Sequence, residues 1–91
     1  MSMSMSASSS DPAHEAANCM AYTTLERQAV LSGHAQGDAV ALLRATAAWH
    51  ASVATEPSAQ EFYTAAMSAY ATMDQADLKA AADDCVARAP H

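Results

Sequence analysis

Residues 38–54 read DAVALLRATAAWHASVA, and this stretch decides the fold class. Alanine, the strongest helix former, is its most frequent residue. Asp38 occupies the position expected of an N-cap, and the TEP sequence at 55–57 ends the pattern. The stretch therefore predicts an amphipathic helix over 38–54, whose buried face follows the three- and four-residue spacing of Ala39, Leu42, Leu43, Thr46, Trp49 and Val53.

The composition of the whole chain extends this prediction. Alanine supplies 25 of the 91 residues, whereas Leu, Val and Phe together supply ten and Ile is absent. With two Gly, three Pro and few β-branched residues, a β-sandwich or a doubly wound sheet is excluded. A mass of 9.4 kDa is enough for one domain. We expect an all-α domain in which alanines let the helices approach closely.

Start and stop signals divide the chain into four helices. Asp11 and Pro12 form a start, Ser32 and Gly33 a stop, and Ser58 with Glu61 has the pattern of a capping box. The predicted helices cover 11–32, 38–54, 58–73 and 74–89, within one domain at 11–90. The inner face of the first helix is expected to consist of Cys19, Tyr22, Leu25 or Glu26, Ala29 and Val30. Their short connections favour antiparallel neighbours, and hence a small up-down four-helix bundle. The Met/Ser-rich segment at 1–10 predicts a disordered leader.

The two cysteines lie at positions that such a bundle brings together. Cys19 is near the start of the first helix and Cys85 is near the end of the fourth, and these ends share one level in an up-down bundle. A disulfide between them would stabilise the small core by about 4 kcal/mol on the chain-entropy model. It would also indicate an oxidising compartment. The alternative is a pair of buried free thiols in a cytoplasmic protein.

Charge restricts the partners. Four basic residues face ten acidic ones, for a formal net charge of −6, so no cationic patch is available for nucleic acid or an anionic membrane. No run of 18 apolar residues predicts a membrane span. Most carboxylates fall near predicted helix starts, where they act as caps. The net charge favours a basic protein as the partner of a monomer or homodimer.

Metal and cofactor sites have little support in the sequence. The four histidines are far apart and form no HExxH or other metal-ligand pattern. The weak candidates are the thioethers of Met1, Met3 and Met5, which suit Cu(I), together with His14. No motif predicts an enzyme, and no cofactor is expected. Aromatic side chains between the helices could line a small pocket, formed by Tyr22, Trp49, Phe62 and Tyr70.

These observations favour a small acidic, exported helical protein that binds a protein partner, as an inhibitor, immunity factor or chaperone-like module. The alternative is a carrier of a small molecule or of copper that uses the aromatics, the histidines or the Met-rich leader. A periplasmic or secreted location follows if the disulfide forms, and a cytoplasmic one if it does not.

Overall fold

A computed structural model describes residues 11–90, which form four helices and no strand. Helix α1 spans Pro12–Leu31, α2 Ala39–Ser52, α3 Ser58–Tyr70 and α4 Gln75–Ala87. The predicted all-α four-helix bundle is confirmed. The predicted leader at 1–10 lies outside the described residues. No helix among residues 11–90 combines the length and apolar character needed to cross a membrane.

Aspartate caps begin three of the four helices. The carboxylate of Asp11 accepts a hydrogen bond from the backbone N–H of Ala13, and Asp38 and Asp74 cap α2 and α4 in the same way. Much of the negative charge therefore satisfies free N–H groups at helix starts. The predicted capping box of α3 is wrong. Pro57 at its N-cap position already has helical angles, so Ser58 lies inside the helix and no side chain caps it.

Gly33 ends α1 with a φ of 81°, a left-handed conformation that glycine adopts without steric cost. Its N–H donates to the carbonyl of Val30, and the N–H of His34 donates to the carbonyl of Ala29. These two bonds form a Schellman motif. The stop predicted at Ser32 and Gly33 is therefore confirmed.

Helix α1 is the centre of the bundle, because it packs against each of the other three helices. Its Thr23 hydroxyl lies 2.6 Å from that of Thr46 in α2. Close packing on three sides requires small side chains, and Ala16, Ala17 and Ala21 of α1 are almost completely buried. The main core cluster joins α1 to the other helices and consists of Ala16, Cys19, Met20, Trp49, Val53, Ala59 and Cys85.

Contacts along α1 fix the direction of its neighbours. Ring stacks join His14 to Phe62 and Tyr22 to Tyr70, so α3 runs parallel to α1. Helix α4 runs antiparallel to α1, because Cys19 near the start of α1 is bonded to Cys85 near the end of α4. The chain therefore alternates up and down, and both ends of α1 lie against α4.

One core assignment in α2 is wrong. Leu43 was expected on the buried face, but it is 48% exposed, while Leu42, Ala45 and Trp49 are buried. Adjacent residues on a helix point about 100° apart, so only one of the two leucines can face α1. Leu42 takes that position, and Leu43 remains on the surface.

Candidate functional site

The end of the bundle where α1 begins is closed by a disulfide. Cys19 and Cys85 are bonded, with their Cα atoms 5.4 Å apart, and both are buried. The predicted disulfide is confirmed, and the alternative of two free thiols is wrong. By closing a long loop it restricts the unfolded chain and stabilises the fold by about 4 kcal/mol on the chain-entropy model.

Trp49 of α2 lies beside the disulfide. Its indole Nε1 donates a 3.0 Å hydrogen bond to the backbone carbonyl of Cys85, and the ring is buried. That carbonyl belongs to the last turn of α4, where the helix itself offers no N–H partner. Trp49 therefore joins α2 to α4 and satisfies a buried acceptor at the same time.

Arg88 covers the same end from outside. Its Nε donates to Asp84 at 2.8 Å, its Nη1 pairs with Glu15, and the guanidinium lies 5.7 Å from the centroid of the Trp49 ring. The hydrogen bonds to Asp84 and then to Glu15 raise the pKa of Arg88. In the sequence Arg88 was one scattered basic residue. The four-residue spacing from Asp84 was the available signal for this ion pair.

The other end of α1 contains a buried carboxylate, Glu26, which is 1% exposed. Its Oε1 accepts a 2.7 Å hydrogen bond from Nε2 of Gln75, the first residue of α4. Its Oε2 is buried and has no hydrogen-bond partner among the described residues. The sequence left Leu25 and Glu26 as alternatives for one position on the inner face, so it did not identify Glu26 as the buried residue.

A surface depression of about 460 Å³ lies where α1 and α3 end and α4 begins, and Glu26 itself is not part of its lining. Gln75 is part of its wall, so the group that donates to Glu26 also faces the depression. His34 stands at the rim, with its Nδ1 2.8 Å from the Ser32 hydroxyl. The full lining consists of Leu25, Gln28, Ala29, Ser32, His34, Tyr70, Ala71, Met73, Gln75 and Leu78.

The structure distributes the four aromatics of the predicted pocket over three places. Tyr22 and Tyr70 stack with their centroids 4.4 Å apart, Phe62 stacks on His14, and Trp49 lies at the disulfide. Of the four, Tyr70 lines the depression. Burial, reinforced by the neighbouring Tyr70 hydroxyl, raises the pKa of Tyr22 to about 12.

The metal candidates are not brought together. Met1, Met3 and Met5 lie outside the described residues. The His14 ring stacks on Phe62, and its Nδ1 lies 3.4 Å from a carboxylate oxygen of Asp11. Within residues 11–90, no three His, Cys, Asp or Glu side chains are grouped so as to hold a metal ion.

The outward face of α2 is the third feature that could bind something. Val40 is 55% exposed and Leu43 48% exposed, and Leu31 at the end of α1 is 63% exposed. Helix α2 contains no Asp or Glu, although the chain has ten. The face therefore combines apolar side chains with a local lack of negative charge.

No protein-family model, curated protein or solved structure matches this chain.

Proposed function

We propose that this protein is a small helical binding module that acts through a protein partner and docks through the outward face of α2. The proposal rests on the exposure of Val40 and Leu43 on α2, and Leu31 at the end of α1 is exposed as well. The chain has only ten Leu, Val and Phe residues with which to build a core, and three of them lie on the surface. Exposed large apolar groups at neighbouring positions are typical of interaction surfaces.

The geometry of α2 favours docking along the helix. Val40, Leu43, Ala47 and Ala51 follow one another at spacings of three and four residues and are all exposed, so they form an outward stripe. A groove of about 330 Å³ runs beside it between α2 and the end of α4, with Ala, Val and Pro side chains and one arginine in its walls. A partner with a matching apolar ridge could bury the stripe and fill the groove.

Charge favours a basic partner. The formal net charge of −6 attracts a positively charged protein over a distance of roughly one Debye length, about 8 Å at physiological ionic strength. Residues 39–52 contain no carboxylate, and the N-cap carboxylate of Asp38 already accepts hydrogen bonds from Val40 and Ala41, so docking along α2 leaves no acidic group there without a partner. Carboxylates elsewhere accelerate the encounter, and the apolar stripe supplies the contact. An inhibitor, an immunity factor or a chaperone-like module could each work in this way.

The disulfide supports an oxidising location for this activity. A buried Cys19–Cys85 bond is stable where thiols are oxidised, as in the periplasm or outside the cell, and we propose that the protein acts there.

Affinity capture with matched variants tests the proposed docking face. The full chain, its Leu43→Glu variant and an Ala65→Glu control are immobilised and exposed to extract from the protein's own source. Ala65 is exposed on α3, so the control adds the same charge away from α2. We expect one basic protein to be retained by the wild type and the control and lost from Leu43→Glu. Its association rate should fall as salt is added.

Two results would contradict the proposal. One is retention of the same proteins by all three baits. The other is a wild-type dimer in analytical ultracentrifugation that Leu43→Glu converts to monomer, because a second copy would then cover the α2 face.

A further inference from the structure

Glu26 has a buried carboxylate oxygen that no hydrogen bond within residues 11–90 satisfies. One carboxylate oxygen is bonded to Gln75, while the other is buried with no partner among residues 11–90. A buried polar group without a hydrogen bond is costly, and a charged one more so. Oε2 of Glu26 could accept a hydrogen bond from a donor that does not belong to the chain.

Gln75 connects the depression to Glu26, because it lines the depression and bonds to the carboxylate. Gln75 is an exposed residue, it lines the depression, and its amide lies directly against the carboxylate. A glutamine side chain has three rotatable bonds, so Gln75 can turn away when a ligand replaces its hydrogen bond to Glu26. A ligand in the depression can therefore reach Glu26 by displacing an amide, with no movement of a helix.

The helix ends around the depression favour positive charge. Helices α1 and α3 both end at its rim, and neither has a basic residue in its last turn. Helix C-termini carry a partial negative charge that cations complement. The positive start of α4 lies at the same rim, but the carboxylate of Asp74 caps it. Two uncompensated C-termini and a buried carboxylate thus act in the same direction.

The walls indicate which kind of cation fits. The lining is mixed, with apolar Leu25, Met73 and Leu78, the aromatic residue Tyr70, and polar Gln28, Ser32 and His34. Among residues 11–90 no cluster of three His, Cys, Asp or Glu side chains is placed to hold a metal ion. A bare metal ion would need several oxygen or nitrogen ligands, whereas an organic cation is satisfied by one carboxylate and apolar or aromatic contacts. We propose that this depression binds an organic cation, an alkylammonium or guanidinium group, with Glu26 as its counter-ion and Gln75 as a movable cover.

The cation has two sources with the same chemistry. It can be a free small amine, or it can be a Lys or Arg side chain of a protein partner. The site does not depend on the α2 docking face, because it lies between α1, α3 and α4 and rests on different residues. Failure of one proposal therefore leaves the other intact.

Titration of the full chain with defined probes tests the site. Butylguanidinium and butylammonium are added to ¹⁵N-labelled protein, and uncharged butanol serves as the control for apolar binding. We expect saturable shifts of the Gln75 side-chain amide with both cations and not with butanol. Equal shifts with butanol, or no saturable shift with either cation, would overturn the proposal.

One variant and one matched control decide whether Glu26 is responsible for binding the cation. Glu26→Gln keeps the shape and loses the charge, so binding should weaken about tenfold or more, as expected for a charge-assisted hydrogen bond. Glu56→Gln removes the same charge from an exposed position at the far end of the bundle and should leave binding unchanged. Equal weakening by both variants would show attraction to the net charge alone and would overturn the site.

Gln75→Lys gives a test that does not depend on losing a charge from the core. Its ammonium can reach Glu26 from within the chain and should abolish binding of the added cation. Full binding by this variant would contradict the proposal.

A short peptide distinguishes the two sources. Acetyl-Ala-Arg-Ala-amide carries the same guanidinium as butylguanidinium on a peptide backbone. If the peptide binds at least as tightly as butylguanidinium, the cation site takes a side chain of a protein partner. If butylguanidinium binds and the peptide is excluded, the site takes a free small amine.

Discussion

The two ends of α1 contact α4 in opposite ways. Near its start, a disulfide, an indole hydrogen bond and the ion pairs of Arg88 hold the helices together, and the carbonyl of Cys85 has its partner. Near its end, the side-chain amide of Gln75 in α4 donates one hydrogen bond to Glu26. The other carboxylate oxygen of Glu26 has no partner among residues 11–90, and Gln75 also lines the depression. The native contacts between α1 and α4 are therefore more numerous and better satisfied at the disulfide end, whereas at the other end a buried polar group without a partner among residues 11–90 costs stability.

Loss of the disulfide should cause the largest loss of stability. Replacing Cys19 and Cys85 together by Ala should lower the free energy of unfolding by about 4 kcal/mol, because the unfolded chain regains its freedom. Urea unfolding followed by circular dichroism measures the change. Reduction of the wild-type protein with dithiothreitol should give a loss of similar size. A double variant as stable as the wild type would contradict the assignment of stability to this end.

Trp49→Phe should cause the next largest loss of stability. It leaves the buried carbonyl of Cys85 without a donor and opens a small cavity, at a cost of about 2 kcal/mol. Tyr63→Phe is the matched control, since it also trims one polar group from an aromatic ring against the same core cluster. Denaturant unfolding should separate the two variants clearly. Equal stability of both would mean that the indole hydrogen bond contributes nothing.

Arg88→Gln should cost less, about 0.5 to 1 kcal/mol, because its ion pairs are largely exposed and screened by water. A double-mutant cycle with Glu15→Gln isolates one of these pairs. The coupling should shrink when about 0.5 M salt is added, as expected of a screened pair. A coupling that salt leaves unchanged would disagree with this exposed geometry.

The last prediction concerns Tyr22, whose titration should affect the stability of the fold only at alkaline pH. Its pKa is about 12 in the folded protein against an ordinary value of 10, so the folded state holds the proton more strongly. The stability from this group is complete below pH 10 and is lost as pH rises from 10 to 12. Tyr22→Phe should therefore show a shallower decline than the wild type over that range in thermal melts. Parallel declines would show that Tyr22 does not contribute.

Much of the fold could be predicted from local signals. Aspartate caps, the Ser32–Gly33 stop and the helical spacing in 38–54 each depend on a few neighbouring residues, and the disulfide followed from the topology. Packing around α1 could not be predicted in this way. Tyr22 and Leu25 were expected on one inner face, but both are only half-buried, while Ala13, Ala17 and Ala21 are buried. A helix enclosed on three sides has no single apolar stripe to reveal its orientation.

The candidate sites were harder still to predict. Glu26 is one of ten carboxylates in the sequence, nothing in residue type or spacing marks it as the buried one, and its partner Gln75 is 49 residues away. The exposed position of Leu43 depends on which of two adjacent leucines faces α1. Both features depend on tertiary contacts, which residue type and spacing alone do not specify.

We propose that Glu26, whose Oε2 is buried without a hydrogen-bond partner among residues 11–90, lowers the stability of the fold and binds a cation. The most direct test is the free energy of unfolding of the wild type and of Glu26→Gln, each with and without saturating butylguanidinium. We predict that Glu26→Gln is the more stable protein in buffer, by about 1 kcal/mol, and that the cation stabilises only the wild type. A less stable Glu26→Gln in buffer, or equal stabilisation of both proteins by the cation, would contradict the account.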